Sequence, residues 1–374
     1  MNIYRRWTLR VIGSLVVMLG IVVIINVIVD ANGILKTEYS RQFQPPNMSF
    51  SKVNFLLKNR HRFDSFLFGS SRTAGIHVEN ISGGSYYNMF YAAGLPEEHL
   101  EHVRFLLKNG FTIRNIMIGL DEFSYLFDAR QHLSELDLEP HPAISGKNLF
   151  TFYGEHFLKL NGLVPQLKAY IRYNYTEATS ADKRKFVYDI SGTGNVLCRD
   201  CDEEIERNVE DHIKSGKFLQ PWDYRFVEGD FIAPTLDVMK QLVDLSRKNE
   251  FRLIVFIHPI HKVTYLNADL KKFAQFKKEL AAITDYYDFS GLNTITTDNY
   301  YYYETSHYRP MVGDMMLRVM LGKPDVRVPP NFGFLVTREN IDRHLAEQCH
   351  ELQRTTDTLK PVNAAFARSC PSLY

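Results

Sequence analysis

From Val11 to Val29 the chain runs for 19 residues without a charge, its apolar character interrupted only by Gly13, Ser14, Gly20 and Asn26. At 1.5 Å per residue a helix of that length spans about 28 Å, close to the roughly 30 Å of a bilayer's hydrocarbon core. The run therefore reads as a membrane anchor or an export signal. Arg5, Arg6 and Arg10 precede it and Asp30 follows. The positive-inside rule then keeps residues 1–10 in the cytoplasm and puts everything beyond residue 30 across the inner, cytoplasmic membrane, in a periplasmic or other extracytoplasmic space. A cleaved signal peptide is the other reading, with Val29-Asp30-Ala31 as its small-residue site. The run is longer than the usual h-region of about 7–15 residues, which favours a single-pass anchor over residues 11–29. No second stretch of this length follows, so the remainder reads as a soluble body on one tether.

The body has ordinary globular composition. Of 374 residues 45% are hydrophobic and 23% charged, which excludes wholesale disorder. The 44 basic and 43 acidic side chains leave a net charge of +1, no field for wrapping nucleic acid. Four cysteines are too few for a disulfide-built scaffold. Beyond an oxidising membrane face they read first as two disulfides, Cys198 with Cys201 and Cys349 with Cys370. A redox motif or half a zinc site are the alternatives for C-x-x-C. The loop-like Ser191-Gly192-Thr193-Gly194-Asn195 before it, and the lack of a nearby ligand pair, argue against both.

Residues 30–62 read as a polar stalk with a short helical piece over 53–58. An α/β alternation then begins. Strands are predicted at 63–68, 86–91 and 115–120, with a helix opened by Pro96-Glu97-Glu98 and closed by Gly110. From Pro234 the alternation resumes: helix 234–249, strand 253–257, helix 267–283, strand 286–289 and helix 310–321. This order predicts a parallel sheet with crossover helices on both faces, in which sites form at strand carboxyl ends. Residues 125–232 interrupt it as an aromatic-rich insertion, partly helical over 150–173. Residues 322–374 form a tail with a helix over 338–353. The α/β domain is thus 63–124 joined to 233–321.

The chemically suggestive residues lie at those carboxyl ends. Phe66-Leu67-Phe68-Gly69-Ser70-Ser71-Arg72 runs an apolar strand into glycine, two serines and an arginine. A tight turn there exposes a nucleophilic hydroxyl, and the backbone N–H groups after it can face an oxyanion. A serine after a strand is also the ordinary helix N-cap. Tyr303-Glu304-Thr305-Ser306-His307-Tyr308 offers a carboxylate three residues before a histidine, the pair needed to orient an imidazole that deprotonates Ser71. A histidine among tyrosines is otherwise a packing residue. Arg72 reads either as a salt bridge or as a fork clamping an anionic or sugar-bearing acyl acceptor. His258, in His258-Pro259-Ile260-His261 after a strand, reads as a pocket-rim residue. Pro259 and the lack of an acid nearby argue against metal there. No cofactor motif is present. The tyrosines 300–303 and 308 read as sheet-edge packing or, if exposed, a sugar-stacking platform.

The block order resembles the SGNH (GDSL-like) hydrolases. Gly69-Ser70-Ser71 comes first, a glycine follows the second strand, Gly119-Leu120-Asp121 follows the third, and Glu304 and His307 stand near the end. The likeness is nearest to the membrane-anchored extracytoplasmic branch that works beside membrane-bound O-acyltransferases, such as the D-alanylation protein DltD and the alginate and peptidoglycan acetylation proteins. It covers about residues 63–125 and 234–321. The resemblance implies a three-layer, flavodoxin-like sandwich and a nucleophile at Ser71. It also implies a base at His307, an acid at Glu304 where the family more often has Asp, and oxyanion donors at the Ser71 and Gly94 amides. The family's third donor is an Asn side chain. Asp121 occupies that position here, and an ionised carboxylate only accepts. The expected activity is transfer or removal of an acyl group, acetyl above all, on a cell-envelope polysaccharide, with a polytopic acyltransferase as partner. A non-catalytic assembly factor that keeps the fold is the rival expectation.

Overall fold

A computed structural model describes residues 3–36, 44–132, 138–176, 186–223, 228–323, 326–354 and 361–369. Its strands are β1 (Ser65–Phe68), β2 (Tyr86–Asn88), β3 (Asn115–Leu120), β4 (Phe186–Tyr188), β5 (Val196–Cys198), β6 (Arg252–Ile257), β7 (Tyr286–Asp288) and β8 (Phe334–Val336). Six of them form one sheet in the order β2-β1-β3-β6-β7-β8, while β4 and β5 pair antiparallel by themselves. Every pairing in the six-stranded sheet is parallel except β7 with β8. Leu67 lies opposite Met117, and Met117 opposite Ile254, so like side chains align across the strands.

The apolar runs of β1, β3 and β6 carry alternate residues to opposite faces. Phe66, Phe68, Ile116, Ile118, Val255 and Ile257 enter one buried cluster; Leu67, Met117, Ile254 and Phe256 enter another. Both faces are therefore covered, as a mainly parallel sheet requires.

Ten longer helices surround or precede the sheet: α1 (Ile3–Val29), α2 (Met48–Lys58), α3 (Pro96–Lys108), α4 (Leu149–Phe157), α5 (Leu163–Ile171), α6 (Cys201–Arg207), α7 (Ile232–Asn249), α8 (Leu270–Ala281), α9 (Pro310–Met320) and α10 (Ile341–Gln353). α3 starts as its sequence dictates, with Pro96 in the first turn and Glu98 Oε2 accepting the Leu95 N–H at 2.8 Å. α1 is the one described helix long and apolar enough to cross a membrane, and its length stands exposed until the last turns.

Several expectations are corrected. The stalk over 30–62 contains α2, whose Val53 and Leu56 are fully buried in the main core. The single helix over 267–283 is two, Lys262–Asn267 and α8. Asp269 caps α8 by accepting the Lys272 N–H at 3.0 Å, and Asn363 bonds the carbonyls of Leu266 and Ala268 across the break. Residues 322–374 are no loose tail either, since β8 extends the sheet and Asn363 seals that break. The C-x-x-C does not lie in a loop. Cys198 ends β5, Cys201 opens α6, and the two are disulfide-bonded. Of the second expected pair, Cys349 with Cys370, Cys370 lies outside the described residues.

Candidate active site

The strand order changes direction at β1, with β2 on one side and β3 on the other. The carboxyl ends of β1 and β3 therefore flank a crevice of the kind where open parallel sheets bind ligands. Gly69 ends β1 with φ near 159°, and a Cβ there would lie 2.1 Å from Thr73 Oγ1. Only glycine lets the chain fold back so tightly into the 3₁₀ turn Ser71–Gly75. Ser70 caps that turn by accepting the Arg72 N–H at 3.3 Å. Ser71 heads it half-buried, and the first N–H groups of such a turn have no internal acceptor.

The histidine arrives on a small hairpin. Tyr302 and Tyr308 pair antiparallel, both buried, and the Tyr303 N–H donates to the His307 carbonyl at 2.9 Å. Glu304 to His307 form the tip. Glu304 accepts the Ser306 and His307 N–H groups, each at 2.8 Å, and its Oε1 stands 2.5 Å from His307 Nδ1. His307 Nε2 lies 2.8 Å from Ser71 Oγ. Burial pulls the Glu304 pKa up, but His307 and the two backbone donors outweigh it, leaving the carboxyl below its ordinary range. An ionised Glu304 only accepts, so Nδ1 carries the imidazole proton and Nε2 is left to accept from the Ser71 hydroxyl. The three residues singled out in the sequence thus form one chain of hydrogen bonds.

Arg72 and His258, expected to touch substrate, do not reach the surface. Arg72 is 1% exposed. Its Nη1 donates to Asp121 Oδ1 and Glu122 Oε2, both at 2.6 Å, its Nη2 to Glu122 Oε1 at 2.9 Å and its Nε to the Ser306 carbonyl at 2.9 Å. The fork grips the His307 hairpin from beneath. His258 is fully buried, 3.1 Å from the Tyr308 hydroxyl and 3.4 Å from Thr73 Oγ1. Burial first, then the Arg72 charge, drives its pKa well below the usual imidazole value. Gly119 makes room for this ring, since a Cβ there would lie 2.4 Å from His258 Nε2.

Gly94 packs against the β1 turn, its would-be Cβ 2.7 Å from the Gly69 carbonyl. Its N–H donates to Tyr91 O at 3.2 Å, so that amide already has an acceptor. Asp121 is fully buried. One oxygen holds Arg72, and the other, Oδ2, has no hydrogen-bond partner among the described residues. Burial raises its pKa against the opposing pull of Arg72.

Two participants were missed in the sequence. Glu122 is one, although adjacent acids after a buried strand facing a lone arginine were a usable signal. Trp222, from the insertion, stands edge-on to the His307 ring with centroids 5.3 Å apart and is 42% exposed; nothing in its neighbours announces that contact. The tyrosines serve the insertion instead of forming an open platform. Tyr303 and Tyr300 donate to Asp202 and Glu206 of α6, and Arg309 binds the same two acids at 2.6 and 2.7 Å. Neither a protein-family model nor a curated protein matches the chain.

Proposed function

We propose that the protein is an extracytoplasmic serine acyltransferase or esterase of SGNH-like, three-layer flavodoxin-like architecture. It is held in the membrane by α1 and moves an acetyl or similar acyl group onto or off a cell-envelope polysaccharide. The observation that carries this reading is the relay Ser71–His307–Glu304, at 2.8 and 2.5 Å, at the carboxyl end of a parallel strand. Ser71 Oγ attacks the acyl carbonyl carbon while His307 Nε2 takes the hydroxyl proton. Glu304 holds the imidazolium, and the Ser71 N–H faces the oxyanion. Collapse of the tetrahedral intermediate expels the donor's alcohol, which leaves with the proton from His307. A sugar hydroxyl or water then gives its proton to His307, attacks the acyl-serine and frees Ser71. An anchored catalyst with no acyl source of its own fits a membrane-bound O-acyltransferase as donor.

The rival reading is a non-catalytic assembly factor that uses the same fold to bind the polysaccharide or the acyltransferase. Asp121 favours it: its buried carboxylate stands where the family has an amide donor, and loss of one such donor costs a hydrolase about 10²–10³ in rate. Fluorophosphonate labelling of the full chain in detergent micelles, mapped by peptide mass spectrometry, separates the two. The catalytic reading expects a label on Ser71 that disappears in Ser71→Ala and in His307→Ala. A folded chain that takes no label, alone or in membranes with its partner, would leave the assembly factor as the better account.

A further inference from the structure

α5 has the sequence Leu-Val-Pro-Gln-Leu-Lys-Ala-Tyr-Ile, and none of its residues is buried. A nine-residue helix of that apolarity has little reason to persist in water without a partner, because tertiary packing supplies most of the stability of short helices. α4 before it leaves Phe150 88% exposed, and Leu160 in the connection is 67% exposed. More than half of the large apolar side chains exposed outside α1 fall between Leu149 and Tyr175. A contiguous patch of this kind marks a surface meant for something other than water.

Its position says what that is. Asn26, one turn from the end of α1, donates through Nδ2 to the carbonyls of Phe157 and Lys159, each at 2.9 Å. Asn26, His156, Lys159 and Gln166 line one small crevice, so α5 as well as α4 abuts the helix. At 1.5 Å per residue Asn26 lies about 5 Å inside the end of α1 at Val29. Groups at that level of a crossing helix sit at the boundary between headgroups and acyl chains. Lys159, Lys168 and Arg172 stand among the apolar residues, as cations do that reach for phosphates, and Tyr153, Tyr170 and Tyr175 are of the type enriched at that depth.

We infer that α4 and α5 form an interfacial apron, with Phe150, Leu160 and Val164 embedded in the outer leaflet beside α1. The protein would then hold the bilayer at two places, one crossing and one lying on it. This rests on α1 crossing the membrane and is independent of the chemistry at Ser71.

No described cysteine is free, so a single introduced thiol takes a nitroxide label. Full-length Phe150→Cys, Leu160→Cys and Val164→Cys would be labelled and reconstituted into vesicles of phosphatidylethanolamine and phosphatidylglycerol. Collision rates with oxygen, which partitions into lipid, are compared with those of a water-soluble nickel chelate. Val17→Cys in α1 and Leu335→Cys, exposed on the opposite sheet edge, are the lipid and water references. The apron expects oxygen to exceed nickel at 150, 160 and 164 as at 17, with the ratio inverted at 335. Nickel access at the three positions, with 17 still in lipid, would overturn the apron and leave the anchor standing. Shielding from both reagents would also overturn it, since a second copy or another protein would then cover the patch. Nickel access at 17 would remove the anchor and the apron together.

Discussion

Arg72 carries its charge inward, and the consequences are local. It holds two buried carboxylates and the Ser306 carbonyl that precedes His307. Removing one partner of a buried ionic cluster leaves uncompensated charge and costs about 3–5 kcal/mol. Arg72→Met is therefore expected to lower unfolding stability by about that amount in a denaturant titration, and an unchanged midpoint would contradict the arrangement. Asp121→Asn tests the neighbouring position differently. Its Oδ1 keeps an acceptor for Arg72, while the oxygen without a partner becomes an amide donor. The expected outcome is faster fluorophosphonate labelling of Ser71; a slower rate would mean that the Asp121 charge itself serves the site. Ser71, Glu304 and His307 were legible in the sequence because strand-end placement and a three-residue spacing constrain their geometry. Arg72 and His258 were identified as residues of the site but misjudged in direction. A sequence does not record whether a side chain beside a nucleophile turns outward or underneath.

At the scale of elements, α6 is the brace of the catalytic hairpin. It begins at the disulfide, and its Asp202 and Glu206 receive Tyr303, Tyr300 and Arg309. Both acids are substantially exposed, so these ion pairs fix orientation more than they add stability. The double variant Cys198→Ser, Cys201→Ser is expected to slow Ser71 labelling severalfold while leaving the circular dichroism spectrum intact; equal rates would remove the brace from the account. A second joint lies under β7. Asp288 there is buried with Lys277 Nζ at 2.9 Å and His344 Nε2 at 2.9 Å, tying α8 and α10 to the sheet. Burial alone would raise the Asp288 pKa, but Lys277 and then His344 carry it well below the usual carboxylate range. Asp288→Asn strands the lysine and should cost about 3–5 kcal/mol by chemical denaturation. Strand and helix periods were readable wherever the apolar pattern was long, as over 96–108 and 115–120. The break at Ala268 and the edge strand β8 were not, because Asn363 and β7 supply their hydrogen bonds from distant parts of the chain.

For the whole molecule, buried histidines set the response to acid. His258 and His261 are fully buried; burial pushes the His261 pKa down to about 4 and His258 well below its ordinary value. Above pH 6.5 both are neutral folded or unfolded. As pH falls below that value the unfolded chain binds protons that the folded one refuses, so stability declines by up to about 1.4 kcal/mol per pH unit for each ring. Depression of the Asp288 pKa adds a further loss beginning near pH 4. Melting temperatures are expected to fall steadily from pH 7 to pH 5, and a flat profile would mean that these rings gain protons without unfolding. The insertion has the widest reach of any part. One stretch of it grips the end of α1 at Asn26, and another sets Trp222 against His307. For an anchored chain such a frame is a stand-off gauge. It fixes the height at which the serine works, so polymer strands would be served by how near to the lipid they pass as well as by which sugars they carry.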